Sequence, residues 1–169
     1  MHRLLLSLVA VSGCALAQSN PVSAIVKAQY TTTKNNIARS AEKVPENLYS
    51  FKPTDAVRSF GQLVGHVADA QYTFCAIALG EKDPAPGIEK TKTSKADLAQ
   101  ALKDSYAYCD KAYDGMTDAK AAELVKLFGR DAARLGALTG NNMHNHEHYG
   151  NMVTYMRLKN IVPPSSEPR

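Results

Sequence analysis

The absences in this sequence narrow it first. It has no tryptophan and only three cysteines in 169 residues, and no apolar stretch is long enough to span a bilayer. Three cysteines are too few for a disulfide-dense miniprotein, and none sits in a CxxC or other metal-ligand spacing. No internal repeat or low-complexity tract is present, which removes collagenous and disordered chains. Charge of one sign is scarce too: 20 Lys+Arg against 16 Asp+Glu leave +4, spread along the chain. The densest basic stretch, Glu89-Lys-Thr-Lys-Thr-Ser-Lys95, includes an acid and reads as a solvated loop. Nucleic-acid binding normally needs a concentrated basic patch, so no nucleic-acid partner is expected. What remains, with 44% hydrophobic and 21% charged residues, is one soluble domain. A chain of this length buries enough surface to fold without metal or disulfides.

The first residues read as an export signal. Met1-His-Arg3 is a basic start, Leu4 to Val11 is an apolar run, and Ala15-Leu-Ala17 is an A-x-A site before Gln18. This is the three-part layout of a cleaved secretory signal over residues 1–17, implying a periplasmic or secreted protein. Val11-Ser-Gly-Cys14 competes as a lipobox that would lipidate Cys14, but the A-x-A site is the better match. Cleavage after Ala17 leaves Cys75 and Cys109. In an oxidising compartment they form either one disulfide or two buried thiols.

Beyond the leader, apolar spacing near 3.6 residues predicts helices throughout. One runs from about Pro21 to Val44, with Val22, Ile25, Val26, Ile37, Ala41 and Val44 as its apolar face. Thr54 is read as the N-cap of a second, which carries Val57, Phe60, Val64, Val67 and Phe74 to about Leu79 before Gly80. Residues 81–93, with Pro84, Pro86 and Gly87, form a connection. Ser94 opens a third helix to about Tyr113, using Leu98, Leu102, Tyr106 and Cys109. Thr117 opens a further helical run, with Gly129, Gly136 and Gly140 as breaks or kinks, and a last helix reaches about Asn160 before Pro163-Pro164. No segment alternates with period two for long enough to be a strand. The pattern predicts an all-α fold, most simply a four-helix bundle with one long crossover. It is compatible with a homodimer through the bundle faces.

The chemistry-bearing residues are histidines. In Met143-His-Asn-His-Glu-His-Tyr149, His144 and His148 are four apart and share one helix face. That spacing lets two imidazoles reach one ion. His146 falls about 200° away from His144 and faces elsewhere. His66 sits mid-helix at the edge of the apolar stripe, where a polar ring needs a partner. In bundles, facing helices supply metal ligands inward, which makes His66, His144 and His148 a candidate three-histidine site. The same residues also fit a satisfied core histidine and an exposed helix surface. Asp69 and Glu147 are candidate catalytic carboxylates, as supports for the ligands or as a general base; both also fit plain surface charges.

Gly61-Gln-Leu-Val-Gly-His-Val-Ala-Asp-Ala-Gln-Tyr72 followed by His144-Asn-His-Glu-His-Tyr-Gly-Asn-Met-Val-Thr-Tyr-Met-Arg157 resembles the DinB-like family of metal-binding four-helix bundles. The resemblance lies in one histidine midway along the second helix, then H-x-x-x-H-x-G-[QN] leading into a Tyr-x-Arg helix. The tail Leu158-Lys-Asn-Ile-Val-Pro-Pro-Ser-Ser166 matches as well, so the likeness spans residues 21–166. It implies a divalent metal ion, zinc or nickel, on His66, His144 and His148. Three protein ligands leave a coordination position open for water or a small-molecule substrate. The family includes thiol S-transferases and proteins resembling hydrolases. Thiol cofactors are scarce outside the cytoplasm, so an exported chain points to a metal-dependent hydrolase or another transferase. A non-catalytic metal-binding or stress-related module is the contrasting reading.

Overall fold

The computed structural model describes residues 19–168, so the export signal and Cys14 lie outside the described residues. Four long helices dominate: α1 (Pro21–Lys43), α2 (Phe60–Leu79), α4 (Lys95–Asp114) and α6 (Arg134–Leu158). Two single turns, α3 (Ile88–Thr91) and α5 (Asp118–Ala121), and a two-stranded hairpin, β1 (Leu124–Leu127) with β2 (Arg130–Ala133), lie in the connections. Helices α1 and α2 each pack against both α4 and α6. Consecutive α1 and α2 are therefore diagonal neighbours, and residues 44–59 make the crossover between them. No helix among the described residues is long and apolar enough to cross a membrane.

The core follows helical spacing, with one end of α1 departing from expectation. Val26, Tyr30, Ile37 and Ala41 are buried on α1, whereas Val22 and Ile25 are exposed. Their first turn is fixed by polar contacts instead. Asp118 accepts hydrogen bonds from the backbone N–H of Val22 and Ser23 at 3.1 and 2.8 Å, satisfying amides that a helix start leaves open. Phe60, Val64 and Val67 from α2, Leu98 and Leu102 from α4, and Leu138, Met152 and Met156 from α6 complete the interior.

Helix α2 begins at Ser59 and not at Thr54. Ser59 Oγ accepts from the Gln62 N–H at 3.2 Å while Gln62 Oε1 accepts from the Ser59 N–H at 2.8 Å, a reciprocal capping box. Thr54 has no such partner three residues on and falls in a turn, so Val57 is left exposed. The run opened by Thr117 is also shorter than expected. Thr117 caps only α5, and the chain then forms the antiparallel hairpin. Its four-residue strands are too short to give a period-two signal. Phe128 and Gly129 form the two-residue turn, with φ of 49° and 83°. Positive φ at both central positions is the type I′ pattern, which favours Asn-Gly; a phenylalanine there costs about 1–2 kcal/mol. Gly136 and Gly140 lie inside α6 without breaking it. A Cβ on Gly140 would stand 3.0 Å from the Phe74 ring, so the missing side chain lets α2 seat against α6.

Cys75 and Cys109 are joined in a disulfide between α2 and α4, with Cα atoms 5.2 Å apart and both residues fully buried. Beside it, Asn141 of α6 donates to Gln71 Oε1 at 2.9 Å, and Gln71 donates to Asn145 Oδ1 at 2.7 Å. The covalent link and this buried amide ladder fix α2 relative to both α4 and α6. The loop closed by the disulfide spans 34 residues. Removing it with Cys75→Ala and Cys109→Ala together should lower unfolding free energy by about 3 kcal/mol while helical circular dichroism is retained. Equal urea midpoints for the two proteins would contradict this role.

Candidate metal centre

Helices α2 and α6 bring His66, His144 and His148 to one point. His144 Nε2 lies 3.0 Å from His66 Nε2 and 3.1 Å from His148 Nε2. The ligand atoms of all three lie within 4.8 Å of one another. Separations of this size approach the roughly 3.3 Å edge that bonds of 2.0–2.1 Å make at tetrahedral angles. His66 and His144 are half-buried, and His148 is buried. His146 points away, its Nδ1 2.7 Å from the carbonyl of Asn142 and its Nε2 3.0 Å from Thr33 Oγ1.

The carboxylate that reaches this cluster is Glu89, from the stretch read in sequence as a solvated loop. Its Oε2 lies 3.0 Å from His66 Nδ1, and its Oε1 accepts from Arg58 Nε at 2.8 Å. A carboxylate on Nδ1 holds the ring proton there and leaves a lone pair on Nε2, the arrangement that prepares a histidine for a metal. Glu89 gets there because α3 lies very close to α2. A Cβ on Gly65 would come within 2.7 Å of the Glu89 Cα. Asp69 completes this arrangement from below, accepting from the N–H groups of Ile88 and Glu89 at 2.8 and 2.9 Å. Both its oxygens are thus engaged in holding α3, and it acts on the histidines through Glu89. In the sequence, Ile88 was the one available clue, an apolar residue beside an acid within a polar connection.

Glu147 is exposed next to His148. With Arg58, Gln62, Asn151 and Tyr155 it lines an open cleft of about 660 Å³ that runs up to His148. One wall of this cleft is the 52–58 loop, of which the part from Thr54 onward was expected to be helical. Tyr155 fixes the loop by donating to the Arg58 carbonyl at 2.8 Å.

The donor set fits a cation better than it fits itself. With the His66 proton held on Nδ1, its Nε2 must accept, and the single Nε2 of His144 cannot satisfy both neighbours well. His144 Nδ1 is buried without a partner. Burial, helped by the neighbouring imidazoles and Arg58, pushes His144 down to about 3, and burial also pushes His148 below its ordinary value. His144 and His148 are therefore neutral at neutral pH, the form that binds metals.

Against this geometry, residues 29–152 match the model of the DinB superfamily. The chain belongs to the DinB superfamily. It is 24% identical over 146 residues to the uncharacterized protein YjoA of Bacillus subtilis (strain 168), a match spanning 84% of this chain and 91% of that protein. Among solved structures, a DinB-like protein from Bacillus cereus ATCC 10987 superposes with a TM-score of 0.72 at 16% identity, covering 82% of this chain and 93% of that one. The YjoA structure gives 0.68 at 23% identity, covering 86% and 99%. These likenesses establish the DinB-like bundle, and the three-histidine group lies on its second and last long helices.

The depressed histidines give a pH dependence with a definite sign. The unfolded chain takes up protons near 6.5 that the native His144 refuses until about 3. Native stability should therefore be complete above 6.5 and fall as pH drops through that window. Denaturant titrations of chelator-treated protein at several pH values should show this decline, and His144→Gln should flatten it. A profile that is equally steep in the variant would contradict the assignment.

Proposed function

We propose that this DinB-superfamily protein is exported and holds one divalent metal ion, zinc or nickel, on Nε2 of His66, His144 and His148, where it serves as a metal-dependent hydrolase or transferase. The observation that carries this reading is the convergence of three Nε2 atoms beside an open cleft, with His144 Nδ1 left unpartnered. Bound there, such an ion supplies Lewis-acid polarisation or water activation. The residues of the chain do the rest. Glu89 keeps the Nε2 lone pair of His66 turned inward. Arg58, anchored by Glu89, presents a cationic donor on the cleft wall. Glu147, from α6, is an exposed carboxylate lining the same cleft next to His148, placed to take a proton from an incoming nucleophile. Asp69 is a positioning residue, holding the helix turn that carries Glu89.

Export rests on the leader pattern of residues 1–17 and agrees with the buried disulfide, since such bonds persist in oxidising compartments. A soluble exported protein, cleaved after Ala17, fits better than lipidation at Cys14.

Two measurements test the reading. Elemental analysis of the mature protein, purified without chelators, should find about one divalent ion per chain, and His148→Ala should lose it. No ion in the wild type would refute the proposal. Glu89→Gln should keep the site but weaken metal affinity by about 10- to 100-fold in competition titrations. An unchanged affinity would remove Glu89 from the centre.

A further inference from the structure

The hairpin tip carries a residue that the turn does not favour. Phe128 occupies the first central position of a two-residue turn with positive φ, where Asn, Asp or Gly is the usual occupant. Its side chain does not repay that conformation by burial, because the residue is 67% exposed. What the ring does is stand edge-to-face on Phe74, with centroids 5.4 Å apart and planes at 86°. Phe74 in turn lies 5.9 Å from the His144 ring, centroid to centroid. The phenylalanine pair is therefore continuous with the histidine cluster.

Position along α2 explains why the pair flanks the cluster. Gln62, His66, Ala70 and Phe74 recur every fourth residue and form one stripe. At the Gln62 end the stripe meets the polar cleft with Arg58, Glu147 and Asn151. At the Phe74 end it meets the hairpin. The three imidazoles sit between a polar wall and an aromatic one. The cleft is lined mostly by charged and polar side chains, and the aromatic surface next to the imidazoles is the Phe74–Phe128 pair at the other end of the stripe, with Phe128 exposed.

We infer that Phe74 and Phe128 form an apolar subsite of the metal centre, which binds the aromatic or aliphatic part of a small molecule whose polar head reaches the three histidines. The inference rests on the metal reading above and deepens it by giving the substrate class: amphiphilic, with an apolar group adjoining the reacting one.

The test uses acetohydroxamate and benzohydroxamate, which share a metal-chelating head and differ in the phenyl group, titrated calorimetrically into the zinc-loaded protein. Phe128→Asn is the informative variant because asparagine suits the turn. Its unfolding midpoint should be at or above that of wild type, with equal zinc uptake. The preference of wild type for benzohydroxamate over acetohydroxamate should shrink about tenfold in the variant. Zinc uptake by both proteins with the same preference in each would overturn the subsite and leave the metal reading intact. Failure of wild type to take up zinc or nickel would overturn both. A variant melting well below wild type would show that the ring serves the fold. A wild-type dimer in sedimentation that Phe128→Asn dissociates would make the hairpin a contact between two copies. Either of these last results overturns the inference.

Discussion

Three imidazole nitrogens held within 4.8 Å of one another, with His144 at hydrogen-bonding distance from both its neighbours and too few protons to satisfy them all, set the demand that the surrounding structure meets. Left alone, such a cluster would spread until water reached each ring. It stays closed because α2 and α6 cannot move apart freely. Gly140 lets Phe74 lie against α6, Gln71 bridges Asn141 and Asn145, and the Cys75–Cys109 disulfide ties α2 to α4. The cost of desolvating His144 and His148 appears as their lowered proton affinity, and a cation is what would offset it.

The supporting shell is built from backbone proximity as much as from side chains. Gly65 admits α3, Asp69 grips its two leading amides, and Glu89 follows onto His66. The same glutamate holds Arg58 and so connects the cluster to the cleft wall. One short turn of helix thus holds the His66 ring and borders the candidate binding site.

Much of this was legible from residue order alone, for physical reasons. Helical spacing put His144 and His148 on one face, and the position of His66 beside an apolar stripe marked it as needing a partner; the fold brings the three together. The bundle and its crossover followed from apolar periodicity and proline placement. Glu89 was illegible because its contact with His66 bridges 23 positions and depends on a missing Cβ at Gly65, which periodicity does not register. Thr54 and Ser59 are both good N-caps. Only Ser59 has glutamine three residues on, and that reciprocal pair, visible in the sequence, decides the start of α2. The hairpin escaped because its strands are four residues long and its turn is Phe-Gly, not Asn-Gly. Val22 and Ile25 fit the period of α1, yet they lie at its first turn, where contact with Asp118 replaces apolar packing.

The central claim is that one divalent ion is held by these three nitrogens with a position left open to the cleft. Anomalous diffraction at the zinc edge, from crystals of zinc-loaded mature protein, tests it most directly. The account predicts one peak bonded to Nε2 of His66, His144 and His148, with no protein side chain on the side facing Arg58 and Glu147. A peak elsewhere, or a fourth side chain closing the coordination, would contradict it.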